Sequence, residues 1–370
     1  MKLAISTLPA LALLISAAHA GSPARPKSWV FLAPTPYAVS SAAAAYDPAR
    51  DRIVLFGGIN AFCGTWEFDG AAWSCISSSA PETLVAPRMT FDPNQQRVLL
   101  YGGRSTPFLT SAMRAWNGAS WQSFVTPNPP DRFMHTMTWD DARNRAVVIG
   151  GQAASATGIL SSTTWEWSGA AWSSTPPLSA PPERYAASMA YDASRQRTVL
   201  YGGQDFSQPL TDTWERSGNT WTHIPVSPPP QAVNAAMTYA AARERIIIHG
   251  GTLPQGGFIN QTWMYDGAAW SLLTDKGPQA ALTILTYDST RRRSILLAYG
   301  PGQNAGTWAL PDCPGDANAD GAVNFADLNH ILSGFGAPAS LGQPGDLDGD
   351  GAITFTDLNQ VLSSFGATGC

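Results

Sequence analysis

Charge is what this chain has least of. Charged residues make up 13% of its 370 positions, about half of what a globular domain usually carries. With a net charge of −5 and no basic cluster, nucleic acid is excluded as a partner. Histidine occurs five times, and the copies are scattered, which argues against a zinc or copper site needing three or four ligands. No apolar run approaches the roughly 20 residues that span a bilayer, so no transmembrane segment is expected. Long amphipathic helices are missing too. Gly, Pro, Ser, Thr and Trp take the place of charge, as in a protein built of many short strands and turns.

The first residues have their own pattern. Lys2 precedes a mostly apolar stretch from Leu3 to Ile15, and Ala18-His19-Ala20 precedes Gly21. This is the layout of a secretory signal peptide over residues 1–20, and it predicts a secreted, extracellular or cell-surface-associated protein. In an exported chain the four cysteines are expected to form disulfides.

A repeat of about fifty residues occupies most of the chain. Tyr46-Asp47, Phe91-Asp92, Trp139-Asp140, Tyr191-Asp192, Tyr239-Ala240 and Tyr287-Asp288 each end five residues ahead of an arginine: Arg52, Arg97, Arg145, Arg197, Arg245 and Arg293. An apolar run follows, closed by a glycine pair at Gly57-Gly58, Gly102-Gly103, Gly150-Gly151, Gly202-Gly203 and Gly250-Gly251. Next come a variable loop, a strand with one tryptophan, a tight turn such as Asp69-Gly70 or Asn117-Gly118, and a second tryptophan. Each copy reads as four short antiparallel strands, a to d, with the turn dipeptides that hairpins favour. Such units bury their faces only against one another. The pattern resembles the kelch repeat over residues 28–310, and the resemblance implies an all-β, six-bladed β-propeller.

The sixth copy ends at Trp308, a strand-c tryptophan, with no partner strand after it. Trp29 stands 18 residues ahead of Asp47, in the register of the other strand-d tryptophans. The N-terminal strand around Trp29 is therefore expected to close the last blade and remove its open edge.

Strand direction places the b-to-c loops and the d-to-a crossovers on one face, and their variety marks that face as the ligand-binding one. Phe62, Phe108, Phe206 and Phe258, with Arg132 and Arg184, are its candidate contacts for a glycan or a protein. No catalytic residue is assigned. Some kelch propellers are copper oxidases, but here only His135 is placed to face the channel, while His249 occupies the slot of Phe56, Tyr101 and Tyr201. The alternative function is an extracellular carbohydrate-active hydrolase or lyase. A channel-facing carboxylate pair would favour it; a channel lined by Ala, Ser and Met would favour binding.

From residue 313 onward the tryptophans stop and a duplication with a 30-residue offset begins. Asp316, Asn318, Asp320, Ala322, Asn324 and Asp327 fall at positions 1, 3, 5, 7, 9 and 12 of a calcium loop, and Asp346, Asp348, Asp350, Ala352, Thr354 and Asp357 repeat them. Glycine stands at position 6 of both, permitting the sharp turn. Two calcium ions are expected. Leu328, Ile331, Leu332 and Phe335, like Leu358, Val361, Leu362 and Phe365, form helical stripes expected to pack on each other. The tandem loops without entering helices resemble a type I dockerin, and the flanking cysteines with a terminal Gly-Cys resemble its GC-type variant, over residues 313–370. The resemblance implies a small α-helical anchoring module with a cohesin-like or cell-surface partner. Positions 10 and 11 hold Phe325-Ala326 and Phe355-Thr356 rather than the Ser-Thr pair of many cellulosomal dockerins, which argues against an ordinary cellulosomal cohesin. Two disulfides are expected, Cys63-Cys75 across the first c–d hairpin and Cys313-Cys370 clasping the module's ends.

Overall fold

The computed structural model describes residues 28–36, 39–58, 63–77, 84–105, 108–109, 112–124, 129–153, 160–175, 180–230, 233–253, 255–299, 305–339 and 344–367. Residues 1–20, Phe62 and Cys370 lie outside them, and of Phe108 only the backbone is described. Six four-stranded antiparallel sheets run around an axis. Their innermost strands, strands a, are Ala42–Asp47, Arg88–Asp92, Thr136–Asp140, Ser188–Asp192, Ala236–Ala240 and Ala281–Asp288. The outermost strand of the sixth blade is Val30–Ala33, paired antiparallel with Gly306–Pro311 through Val30↔Ala309 and Phe31↔Trp308. No helix among the described residues is long and apolar enough to cross a membrane.

The repeated residues have local jobs. Asp47 Oδ1 accepts the backbone N–H groups of Ala49 and Arg50, and Asp92 does the same for Asn94 and Gln95. These Asx turns reverse the chain, so that Asp47 pairs with Arg52 and Asp92 with Arg97. The double glycine is needed for close approach. At Gly150, φ is +74°, and a Cβ there would lie 2.6 Å from the Arg184 carbonyl of the next blade. Gly151 N–H donates to that same carbonyl at 2.9 Å.

The cores lie between blades rather than inside them. Val54 and Phe56 of blade 1, for instance, pack with Val98, Leu100 and Trp116 of blade 2. Most interfaces also carry one directional contact. The strand-d tryptophan donates its indole N–H to the strand-c threonine of the preceding blade: Trp29 to Thr262, Trp73 to Thr307, Trp121 to Thr65, Trp221 to Thr164 and Trp270 to Thr213, all at 2.8–3.0 Å. Blade 2 breaks the series. Met113 stands where the threonine would be, and Trp172 Nε1 is buried with no hydrogen-bond partner.

Cys63 and Cys75 form a disulfide with Cα atoms 6.1 Å apart, as the hairpin spacing leads one to expect. Cys313 is also disulfide-bonded. Its expected partner, Cys370, lies outside the described residues.

The C-terminal segment contains two helices, α1 (Phe325–Gly334) and α2 (Phe355–Ser364), each opened by a capping box, Asn324 with Asp327 and Thr354 with Asp357. The duplicated loops cross-pair: Gly366 N–H donates to the Val323 carbonyl and Gly336 N–H to the Ile353 carbonyl, both at 2.8 Å. Val323, Ile353, Ala317 and Leu347 thereby fill the core with Ile331 and Val361. This differs from the expectation that the full helical stripes pack on each other. Leu332, Phe335, Leu362 and Phe365 remain exposed, because loop residues occupy the space they would need.

The first loop is seated on the propeller. Arg293 Nη1 donates to the Ala319 carbonyl, and Ala319 packs with Ile295 and Ala309; the second loop is touched as well, where Lys276 Nζ donates to the Gly349 carbonyl at 2.5 Å.

Candidate functional site

The six inner strands enclose a channel with a cavity of about 480 Å³, within the size range of small-molecule sites. Equivalent positions on successive strands build its wall in layers. One layer is Met89, Met137, Met189, Met237 and Leu285; the next is Thr90, Thr138, Thr238 and Thr286. In these layers blade 1 presents alanines, Ala42 to Ala45, which leaves room on that side. Tyr46, Tyr191, Tyr239 and Tyr287 stand at the far end. Their hydroxyls tie into the preceding blade's turn, as where Tyr191 accepts from the Ala142 N–H at 3.1 Å and Tyr287 from the Ala242 N–H at 3.1 Å.

Charge is distributed unevenly in this channel. Arg88 lines it at the end where the strands begin, on the variable-loop face. Its Nη1 donates to the Pro87 carbonyl at 2.9 Å, and among the described residues no carboxylate pairs with it. Burial alone pushes its pKa down to about 10. The acidic residue in the described lining is Asp141, which follows strand a of blade 3 and so lies at the opposite end. Its carboxyl is raised by burial and by neighbouring Asp140. The mouth near Arg88 is framed by residues of positive φ, Ser41, Ala86, Met134, Ala186 and Asn234. Three of their backbone N–H groups bond the preceding blade's carbonyl: Ala86 to Ser41, Ala186 to Met134 and Asn234 to Ala186.

His135 does not line the channel, contrary to expectation. It is fully buried between blades 2 and 3, edge-on to Tyr101 with centroids 5.2 Å apart. Burial, then the charges of Arg88 and Arg132, hold its pKa well below the usual imidazole value. His249 takes the tyrosine slot: its Nε2 meets the Pro278 carbonyl at 3.1 Å, as Tyr201 Oη meets that of Pro229 at 3.0 Å.

The residues expected on the ligand-binding face separate into two groups. Phe206 is 62% exposed and Phe258 39%, with the Phe206 ring beside Tyr185. Arg132 and Arg184 are buried instead. Arg132 donates to the carbonyls of Gly150 and Pro130. Arg184 donates to the Gly202 carbonyl and forms a two-pronged pair with Asp212 at 2.7 Å. Their donors are spent on fastening the crossovers, and Arg88, which the sequence reading did not single out, is the arginine open to the channel. One signal was available: Arg88 occupies the slot held by Ala43, Thr136, Ser188 and Ala236 on the other strands.

With this geometry described, comparison with known proteins adds the fold. The chain is a six-bladed β-propeller. It aligns with the solved structure titled "Structure of YjhT" at a TM-score of 0.60 and 13% identity, over 75% of this chain and 94% of that one. At this identity the likeness concerns the fold alone. No protein-family model and no curated protein matches the sequence.

The duplicated loops of the C-terminal segment form a second candidate site. Carboxylate oxygens of Asp316, Asp320 and Asp327 lie within 4.8 Å of one another, as do those of Asp346, Asp348 and Asp350. Burial is the main reason Asp316 is pushed up to about 7; the charges of Asp327 and Asp320 add to it, against the Gly321 N–H. Asp357 lies outside the second triad, its carboxylate accepting the N–H groups of Leu347, Asp348 and Thr354. On the surface of α1 and α2, Phe325 packs edge-on to Phe365 and Phe335 to Phe355, with centroids 5.0 and 4.8 Å apart. Both pairs are exposed.

Proposed function

We propose that this is an exported binding protein of kelch type. Its propeller holds a glycan or a protein through the variable-loop face, and its C-terminal segment is a dockerin-like module that takes two calcium ions and anchors the whole to a cohesin-like or other cell-surface partner. The anchoring half rests on carboxylates that converge in both copies of one loop, at positions 1, 5 and 12 of the first and 1, 3 and 5 of the second. Oxygens so close repel one another unless a hard cation sits among them, and calcium with six to eight oxygen ligands suits this donor set. Asn318, Asn324 and Thr354, with the carbonyls of Ala322 and Ala352, supply further oxygen donors at the spacing such a loop requires. The exposed phenylalanine pairs at the ends of α1 and α2 form an apolar surface of the kind that marks protein contacts.

The binding half rests on the channel wall. Methionine, alanine and threonine dominate it, and Asp141 stands far from Arg88, which suits recognition better than paired-carboxylate chemistry.

The test is hydrogen exchange on the mature protein with calcium and with chelator. Protection across residues 316–367 is expected to fall on chelation while the propeller strands keep theirs. Capture from the host's surface fraction is expected to require calcium. Equal protection and equal capture in both conditions would overturn the anchoring reading.

A further inference from the structure

An arginine facing a cavity normally has a carboxylate opposite it, because an unpaired guanidinium loses hydration and recovers little. Several other buried arginines of the propeller follow that rule or are tied to carbonyls: Arg184 has Asp212, Arg216 has Glu166, Arg293 has Asp288, and Arg132 has the Gly150 and Pro130 carbonyls. Arg88 is the arginine in the described channel lining, and no carboxylate among the described residues pairs with it. One N–H group is used on the Pro87 carbonyl, and the remaining donors of the fork are available to whatever enters. The fork matches a carboxylate in shape as well as charge.

The surroundings narrow the choice. Beyond Arg88 the wall carries Met89, Met137, Met189 and Met237, soft side chains rooted between the blades that adapt to an apolar body, interleaved with threonine hydroxyls. At the opposite end Asp141 disfavours a second negative charge. A volume of about 480 Å³ admits a molecule of metabolite size. We infer that the channel is a binding site for a small monocarboxylate, entered from the variable-loop face, with its carboxylate on Arg88 and its body against the methionine and threonine layers. This rests on reading the propeller as a binding scaffold, and it is independent of the calcium module.

The probes are glucuronate and hexanoate, each beside its neutral counterpart, glucose and hexan-1-ol, titrated calorimetrically into the mature protein in calcium. The two acids distinguish a sugar acid from an aliphatic one. At least one acid is expected to bind, with its neutral counterpart weaker by about tenfold or more. Arg88→Gln is expected to reduce the acid's affinity to that of the neutral compound, and Arg88→Lys to retain part of it. The acid-against-neutral comparison uses the unaltered protein, so it stands even where a variant fails to fold. Absence of binding by both acids, equal affinity for acid and neutral compound, or full acid affinity in folded Arg88→Gln would each overturn the inference. Surface capture that persists after such a result would leave the broader binding reading intact.

Discussion

Trp29 Nε1 donates to Thr262 Oγ1 at 3.0 Å across 233 residues of chain, and the same hydroxyl meets His249 Nδ1 at 2.9 Å. With the His249 Nε2 N–H on the Pro278 carbonyl, a buried relay of donors and acceptors spans the closure between blades 5 and 6. The Pro278 carbonyl can only accept, so Nε2 carries the proton, and in the neutral imidazole that burial favours, Nδ1 accepts from the threonine hydroxyl.

Thr262→Val keeps the shape and removes the hydroxyl, leaving Trp29 Nε1 and His249 Nδ1 buried without a partner. The expected cost is about 2–3 kcal/mol. Hydrogen exchange should rise first in Val30–Ala33, the strand this relay fastens to blade 5, and in Gly306–Pro311, with which it pairs. A loss spread evenly over all six blades would contradict the assignment.

His249 also makes stability depend on pH. Burial lowers its pKa from 6.5 to about 4, so between those values the unfolded chain takes up a proton that the folded chain refuses. Stability then rises with pH: the contribution is intact above about pH 6.5 and lost as the pH falls towards 4, on the order of 3 kcal/mol in all. His135 is shifted in the same direction. His249→Tyr restores the residue of other blades and should flatten the fall in melting temperature between pH 7 and 4, leaving the part due to His135. Identical slopes for the two proteins would refute this account.

Trp121 and Trp172 are equivalent strand-d residues, both half-buried, each 5.4 Å from the strand-c tryptophan of its own blade. Only Trp121 has a threonine to bond, Thr65. Replacing each by phenylalanine should therefore cost about 1 kcal/mol more at Trp121 than at Trp172, read from paired denaturant titrations. The same interface has a second gap. Trp167 Nε1 is buried without a partner because Ala115 stands where Glu67 accepts Trp116 Nε1 at 2.8 Å. Between blades 2 and 3 these tryptophan bonds are replaced by apolar packing of Leu99, Tyr101, Met113 and Val148.

Gly150→Ala and Gly218→Ala both place a side chain at positive φ, but their surroundings differ. A Cβ at Gly150 would lie 2.6 Å from a backbone carbonyl, while at Gly218 nothing lies within 4 Å. About 1 kcal/mol is expected at Gly218 from the backbone alone, and roughly 3 kcal/mol or more at Gly150, where one blade must shift against the next. Thermal unfolding of the two variants tests the difference.

Much of this architecture was written in the chain, because its signals are local. The aromatic–Asp pair sets an Asx turn within four residues, the glycine pair permits positive φ, and hairpin length sets strand register, so the number of blades is legible in the sequence. Cys63 and Cys75 could be paired for the same reason: they flank one hairpin. What tertiary structure alone decided is how side chains of different blades meet. Arg132 and Arg184 precede strand a of their blades and Arg88 begins its own, all on the variable-loop side, yet the first two turn inward onto carbonyls and Asp212, and Arg88 turns to the channel. The stripes of α1 and α2 look alike along their length, yet Ile331 and Val361 are buried while Phe335 and Phe365 are not. Spacing specifies which residues share a face; the twist and packing of neighbouring elements specify what that face touches.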